Sequence, residues 1–460
     1  MRETRQRRRR IGGSGMLAAG LAGLIAAGLV AGVAGCATAG GQSAFRPTGP
    51  LVTLRVGVYG DPGYREAGLY TEYERLHPGI KIVQVTTAGS GPDAYWRAVR
   101  AGLPAGHVAD IQAVPVADIS AVTGSLARYF VPLSTLSSGS AGASALSNGW
   151  LPWVTAQATS KTGRTYALGA EIGPLAICYR TSLLAEAGLP SSPRALARDW
   201  STWPGYLRTG RLFRSRITHG PAFTDSAVSL YNAMAAQVRE QYYSPAGHLV
   251  LASNRAVKKA FYAAAGAARG GLTAWLTPGS RAWARGVAHV AFATTVCPAW
   301  MLHQISALAG PLGAHGWNVL PAPGGSGNAG GFYLALPRAG RHQQAAFQLA
   351  EFLAGEQAGE TLFRTQGDFP ANFAAATSLD AVTSPYFSGA DVGKIFGAAA
   401  SRTPATILGP ASAEIASSLD GGLARMGVAG AAAGRGVAGG VSVGGAWRAA
   451  VREALAAAAH

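Results

Sequence analysis

What most limits the fold of this chain is a regular exchange of strand-type for helix-type segments that begins at Leu51. Leu51 to Tyr59 (LVTLRVGVY) reads as a strand with one buried face, because apolar and polar residues largely alternate. Tyr64 to Leu76 reads as a helix that ends at His77-Pro78-Gly79, and Ile80 to Thr86 (IKIVQVT) as the next strand. A helix through Tyr95 to Gly102 then leads to a third strand, Ala109 to Val116, and a helical stretch, Asp118 to Phe130. Strands that alternate with helices give sheets flanked by helices, so this part is expected to be a βαβαβ unit of an α/β protein.

The same exchange continues. Arg164 to Arg180 holds two strand-like pieces interrupted by Gly173-Pro174, and Ser182 to Gly188 starts a helix. Val287 to Val296, Trp317 to Leu320 and Gly331 to Leu336 read as strands, and Gln343 to Gly355 as a helix. From Gly421 to Gly445 the chain is mostly Gly and Ala, which predicts a flexible or frayed segment. Trp447 to Ala458 has strong helix propensity and is expected to dock on the second half of the protein. At 460 residues the chain exceeds what a single core usually supports, so two lobes are expected.

Before Leu51 lies an export address. Arg2, Arg5 and Arg7 to Arg10 precede Met16 to Gly35, a run of twenty residues without a charge, the pattern of a secretory signal. The run ends Val33-Ala34-Gly35-Cys36, which resembles the bacterial lipobox, in which Cys receives a diacylglycerol and begins the mature protein. An uncleaved transmembrane helix has the same length; the glycines and the Cys at a small-residue boundary favour the lipoprotein. Residues 37–50, rich in Gly, Ser, Thr and Pro, then read as a flexible tether. Cys178 and Cys297 remain, as a disulfide in an oxidising compartment or as two buried thiols; no ligand spacing around them suggests a metal.

The formal charge of +17 raises nucleic acid as a partner, yet six of the basic residues belong to the leader. Beyond Gly35 there are 33 of the 39 basic and 21 of the 22 acidic residues, with the arginines scattered apart from a loose group at Arg208, Arg211, Arg214 and Arg216. Phosphate binding needs clustered cations. Solvated faces, or a docking patch for an anionic membrane or partner, are expected instead.

Five blocks in order resemble the extracellular solute-binding proteins of ATP-binding-cassette importers, in the subgroup for maltose, oligosaccharides and other carbohydrates. They are LRVGVYGDPG with YERLHPGIKIVQV, ADIQAVPVADISAVTGSLARYFVPL, GRTYALGAEIGPLAICYRTSLLAEAGLP, GWNVLPAPGG, and GGFYLALPRAGRHQQAAFQLAEFLAGEQAGETLF with QGDFPAN. They span about Leu51 to Asn372. The resemblance implies a two-lobed, periplasmic-binding-protein-like α/β fold, each lobe a sheet flanked by helices, with 51–170 plus 321–366 in one lobe and 171–320 plus 367–460 in the other. It implies capture of a sugar between the lobes and delivery to the transmembrane subunits of a permease. A monomer, anchored by lipid at the outer face of the bacterial cytoplasmic membrane, is expected, with neither cofactor nor catalytic activity.

A sugar offers hydroxyls that need directional hydrogen bonds and ring faces that pack on aromatic rings. By position the resemblance nominates Tyr59 and Asp61, the end of the third strand with Asp118, Glu171 at the crossover, Trp300, Phe332, Tyr333, Asp368 and Phe369. Each has an alternative role. Tyr59 and Phe332 suit a core, Asp61 a turn before Pro62-Gly63, and Asp118 a helix N-cap. Glu171, between Gly169 and Gly173, is poorly explained as a core residue. The chain departs from the family pattern at Pro115-Val116 and at Cys297-Pro298-Ala299-Trp300.

Other readings are weaker. Gly325 to Gly330 and Gly434 to Gly439 match the G-x-G-x-x-G of dinucleotide sites, but neither follows a strand and opens a helix, so both read as loops. Tyr242-Tyr243 is similar to the paired phenolates of ferric-ion binders, although its surroundings resemble the sugar family. A secreted hydrolase would need a nucleophile and base or paired carboxylates, and no H-E-x-x-H or P-loop motif is present. A surface glycan sensor would share the fold and differ only in its partner.

Overall fold

A computed structural model describes residues 50–86, 91–137, 146, 148–432 and 442–459. The leader, Cys36, the tether up to residue 49, and Gly434 to Gly439 lie outside the described residues.

Nine strands form among the described residues: β1 Val52–Val58, β2 Ile80–Thr86, β3 Ile111–Pro115, β4 Ala167–Arg180, β5 Ala222–Thr224, β6 Phe292–Pro298, β7 Trp317–Pro321, β8 Asn328–Ala335 and β9 Phe369–Pro370. Their order is β2-β1-β3-β8-β4-β6-β5, with β7 and β9 also on β4. β1 runs parallel to both β2 and β3, with helices Leu69–Leu76 and Pro92–Gly102 in the crossovers, so the βαβαβ unit forms as expected. The fold is α/β, sheets flanked by helices in two lobes.

The strand that joins the halves differs from expectation. Gly173-Pro174 does not interrupt it; β4 runs unbroken through fourteen residues. Its first half pairs with β8, and its second half with β6 and β7. Register shifts between Gly169 and Glu171 and between Ile172 and Pro174 absorb what was expected to be a break, as bulges do.

Three further segments also differ. Asp118–Phe130 is divided into two 3₁₀ turns and the short helix Ile119–Thr123, because Gly124 ends the helix. β6 begins only at Phe292, since Val287 belongs to helix Arg281–Ala288. Gly421 and Gly422, expected to fray, lie inside helix Ser412–Ala432. The reason is packing: a Cβ on Gly422 would meet the Cβ of Ala450 at 2.7 Å, so glycine permits close approach of helix Val443–Ala458.

The buried apolar residues form two clusters. One includes β1, β3 and β8 with Tyr64, Trp96, Phe130 and Trp317. The other gathers Trp200, Tyr206, Phe213, Phe223 and Phe261 under the last helix, where Trp447 stands 5.3 Å from Phe261. β9 pairs with Glu171 and Ile172, and Phe369, Phe396 and Ala400 join the first cluster. Cys178 and Cys297 lie diagonally across paired strands, 5.4 Å between Cα atoms, and form a disulfide. Among the described residues no helix is long and apolar enough to cross a membrane.

Candidate functional site

The ends of β1, β3 and β8 and the middle of β4 bring the first group of side chains together. Tyr59, just past β1, is half-buried; its hydroxyl donates to the Gly331 carbonyl oxygen at 3.1 Å and its ring meets Phe332 edge-on at 6.0 Å. Glu171 is half-buried on β4, opposite Phe332 on one side and Pro370 on the other. Asp368 precedes β9.

These two carboxylates face little that would stabilise their charge. Burial, then the charge of Asp368, holds Glu171 well above the usual carboxylate range. Burial, then the charge of Asp61, pushes Asp368 up to about 7. No described Lys or Arg forms an ion pair with either. Tyr64, which sequence reasoning did not nominate, completes the group: it is fully buried, its hydroxyl has no hydrogen-bond partner among the described residues, and the charges of Glu171 and Asp368 add to burial in raising its pKa. Unpaired buried polar groups cost free energy, so such a concentration calls for a polar partner.

Trp300 stands close to this strand crossing. Its indole N–H donates to the Ala329 carbonyl at 3.0 Å, and a Cβ on Gly173 or Gly330 would lie 3.1 Å from its Nε1. The Gly173 Cβ would also meet the Ala329 oxygen at 2.0 Å, so only glycine fits there. Asn328 locks this crossing, accepting from Gly173 N at 2.8 Å and donating to the Gly330 carbonyl at 2.9 Å.

Tyr59 also belongs to a second group. It lines a cavity of about 230 Å³ with Asp93, Asp118, Trp153, Gln157 and Gln241. A neighbouring cavity of about 710 Å³ shares Gln157, Thr406 and Leu408 with it, and one of about 340 Å³ shares Asp93 and Asp118. Asp118 precedes helix Ile119–Thr123 but makes no capping hydrogen bond, so the N-cap role is not taken up. Burial, then the charges of Glu414 and Asp93, pushes its carboxyl up to about 7 against the opposing pull of Arg100.

The remaining nominees do other work. Asp61 shapes the turn after β1, accepting from Gly63 N at 3.1 Å. Phe332 is a core aromatic, as is Phe369, which packs against Phe363 and Phe396. Tyr333 is buried and donates to the Val154 carbonyl and Gln157 Oε1. Tyr242 is likewise buried, its hydroxyl 3.3 Å from that of Tyr231. Asp93, Trp153, Gln157 and Gln241 carry no motif; only the fold collects them. Among the described residues no group of three His, Cys, Asp or Glu is placed to hold a metal ion.

Residues 68–387 match the model of a bacterial extracellular solute-binding protein family. This chain belongs to that family. A solved structure described as an extracellular solute-binding protein of family 1 is 34% identical, covers 88% of this chain and 100% of its own, and superposes with a TM-score of 0.77. Two others share the fold at lower identity. The sugar-binding protein MalE of Xanthomonas citri is 17% identical, with coverage of 89% and 98% and a TM-score of 0.67. The binding protein associated with an ABC transporter of B. animalis subsp. lactis, solved with β-1,6-galactobiose, is 18% identical, with 87%, 96% and 0.68. No curated protein sequence matches the chain significantly. The family and these structures are described as binding proteins.

Proposed function

We propose that this solute-binding protein captures a sugar or oligosaccharide where its two lobes meet and delivers it to the transmembrane subunits of an importer. The observation that carries this reading is the pair Glu171 and Asp368, half-buried carboxyl groups that meet no cation among the described residues, beside the Tyr64 hydroxyl, unpartnered among them too, and the rings of Tyr59 and Trp300. Sugar hydroxyls can donate to both carboxylates, and a pyranose face can pack on an indole or phenol ring. The continuous β4 is the hinge: closure adds contacts from the second lobe, and the affinity reflects what the closed state gains over the open one. Asp61 and Asp118 flank this site. Cys36, at the end of its uncharged run, carries the lipid that keeps the protein at the outer face of the membrane.

The test is thermal-shift and calorimetric screening of residues 37–460 against mono- and oligosaccharides, with Glu171→Gln and Trp300→Ala in parallel. A bound sugar raises the melting temperature through linkage, and each substitution weakens binding at least tenfold. Stabilisation by amino acids or ferric ion with no response to any sugar would sink the reading.

A further inference from the structure

The cavity of about 710 Å³ carries a charge that the sugar reading leaves unused. Its walls come from residues 120–127 and 156–166, from residues 239–247, and from the extended segment 405–410. Its charged lining consists of Lys161 and Arg239, with no acid. Both side chains are exposed, and neither forms an ion pair among the described residues. They stand on different walls, and Lys161 reaches over: its Nζ lies 3.7 Å from where a Cβ of Gly247 would be.

The cavity that adjoins it has the opposite character. Of about 230 Å³, it contains Asp93 and Asp118, whereas the cavity of about 340 Å³ beyond it sets Asp93, Asp118 and Glu414 against Arg97 and Arg100. Gln157, Thr406 and Leu408 are common to the basic cavity and its acidic neighbour, so one ligand can occupy both. Ser160, Thr162 and Ser244 line the same cavity with hydroxyls, whereas those of Ser120 and Thr123 are already given to backbone carbonyls.

We infer that the ligand is an acidic oligosaccharide, with a neutral residue in the inner cavity and a carboxylate-bearing residue held between Lys161 and Arg239. This rests on the sugar reading and narrows it. A neutral glycan would leave both cations to water, whereas a uronate forms charge-assisted hydrogen bonds to one or both. An anion that draws on both walls also favours the arrangement in which the walls are close, so the charge contributes to closure as well as to contact.

The test is isothermal titration of the wild type and the Lys161→Ala/Arg239→Ala double variant with maltotriose and α-1,4-galactotriose, and with their uronate counterparts, a C6-oxidised maltotriose and trigalacturonate, in 20 and 300 mM NaCl. The expected result is at least a tenfold preference for a uronate form at low salt, discounted for the exposure of both cations. Salt should shrink this preference by screening, and the double variant should abolish it while melting at the wild-type temperature. Binding of a neutral trisaccharide as tight as that of its uronate form overturns the inference and leaves the sugar reading intact. A preference that survives in the double variant overturns the assignment to these two cations. Failure of all four, with binding of a non-sugar solute, overturns the sugar reading itself.

Discussion

Replacing Asp368 with Asn should strengthen the empty protein and weaken the loaded one. Its carboxyl rises from 3.8 to about 7 because burial and the charge of Asp61 disfavour ionisation. Between about pH 4 and pH 7 the folded protein therefore keeps a proton that the unfolded chain has released. Stability from this group falls as pH rises through that window, and the full penalty is present above about pH 7. At about 1.4 kcal/mol per pH unit the upper limit is about 4 kcal/mol; partial solvent access screens the charge, and about 2 kcal/mol is the working figure. Asn never bears the charge. Urea unfolding of ligand-free wild type and Asp368→Asn should thus give similar stabilities at pH 4.5 and a gain of about 2 kcal/mol for the variant at pH 8. The same substitution removes a charge that raises Glu171, so a carbon-13 titration should find the Glu171 carboxyl moved down. Sugar affinity should fall at least tenfold, the opposition expected where a binding group is kept at the expense of stability. A difference between the proteins that is equal at both pH values, or a variant less stable at pH 8, would refute the reasoning.

Other consequences follow from the packing. Asp225, buried between β5 and β6, accepts hydrogen bonds from Thr295 Oγ1 at 2.8 Å, Ser226 N at 2.7 Å and Trp283 Nε1 at 3.1 Å; Asp225→Ala leaves these donors orphaned and should cost about 3 kcal/mol or more in urea unfolding. Gly173→Ala drives a methyl group into the Ala329 carbonyl and against Trp300, and should quench or shift Trp fluorescence and weaken ligand binding at least tenfold. Cys178→Ser with Cys297→Ser opens a link between residues 119 apart and should lower stability by about 4 kcal/mol, matching the effect of reductant on the wild type.

The local pattern determined much of this protein. Apolar alternation placed β1 and β2 almost to the residue, and the helix before β3 followed from its position between strands. The order of the five blocks carried the family, because strand and helix spacing is written along the chain. The sequence also singled out Glu171, whose flanking glycines allow β4 to shift register beside it.

Only tertiary structure decided the rest. Gly421 and Gly422 look like a break in isolation, and become helix because Ala450 packs where a side chain would be. Gly173-Pro174 looks like an interruption, and is strand because β8 pairs with β4 up to Pro174. Phe332, Tyr333 and Phe369 have the residue types of a sugar site and are drawn into cores and hydrogen bonds elsewhere. Tyr64, Gln157, Lys161 and Arg239 have no signature at all, since what distinguishes each is a neighbour far away in sequence. Propensity and periodicity act within a few residues, whereas burial, charge and cavity shape depend on which distant segments the fold brings into contact.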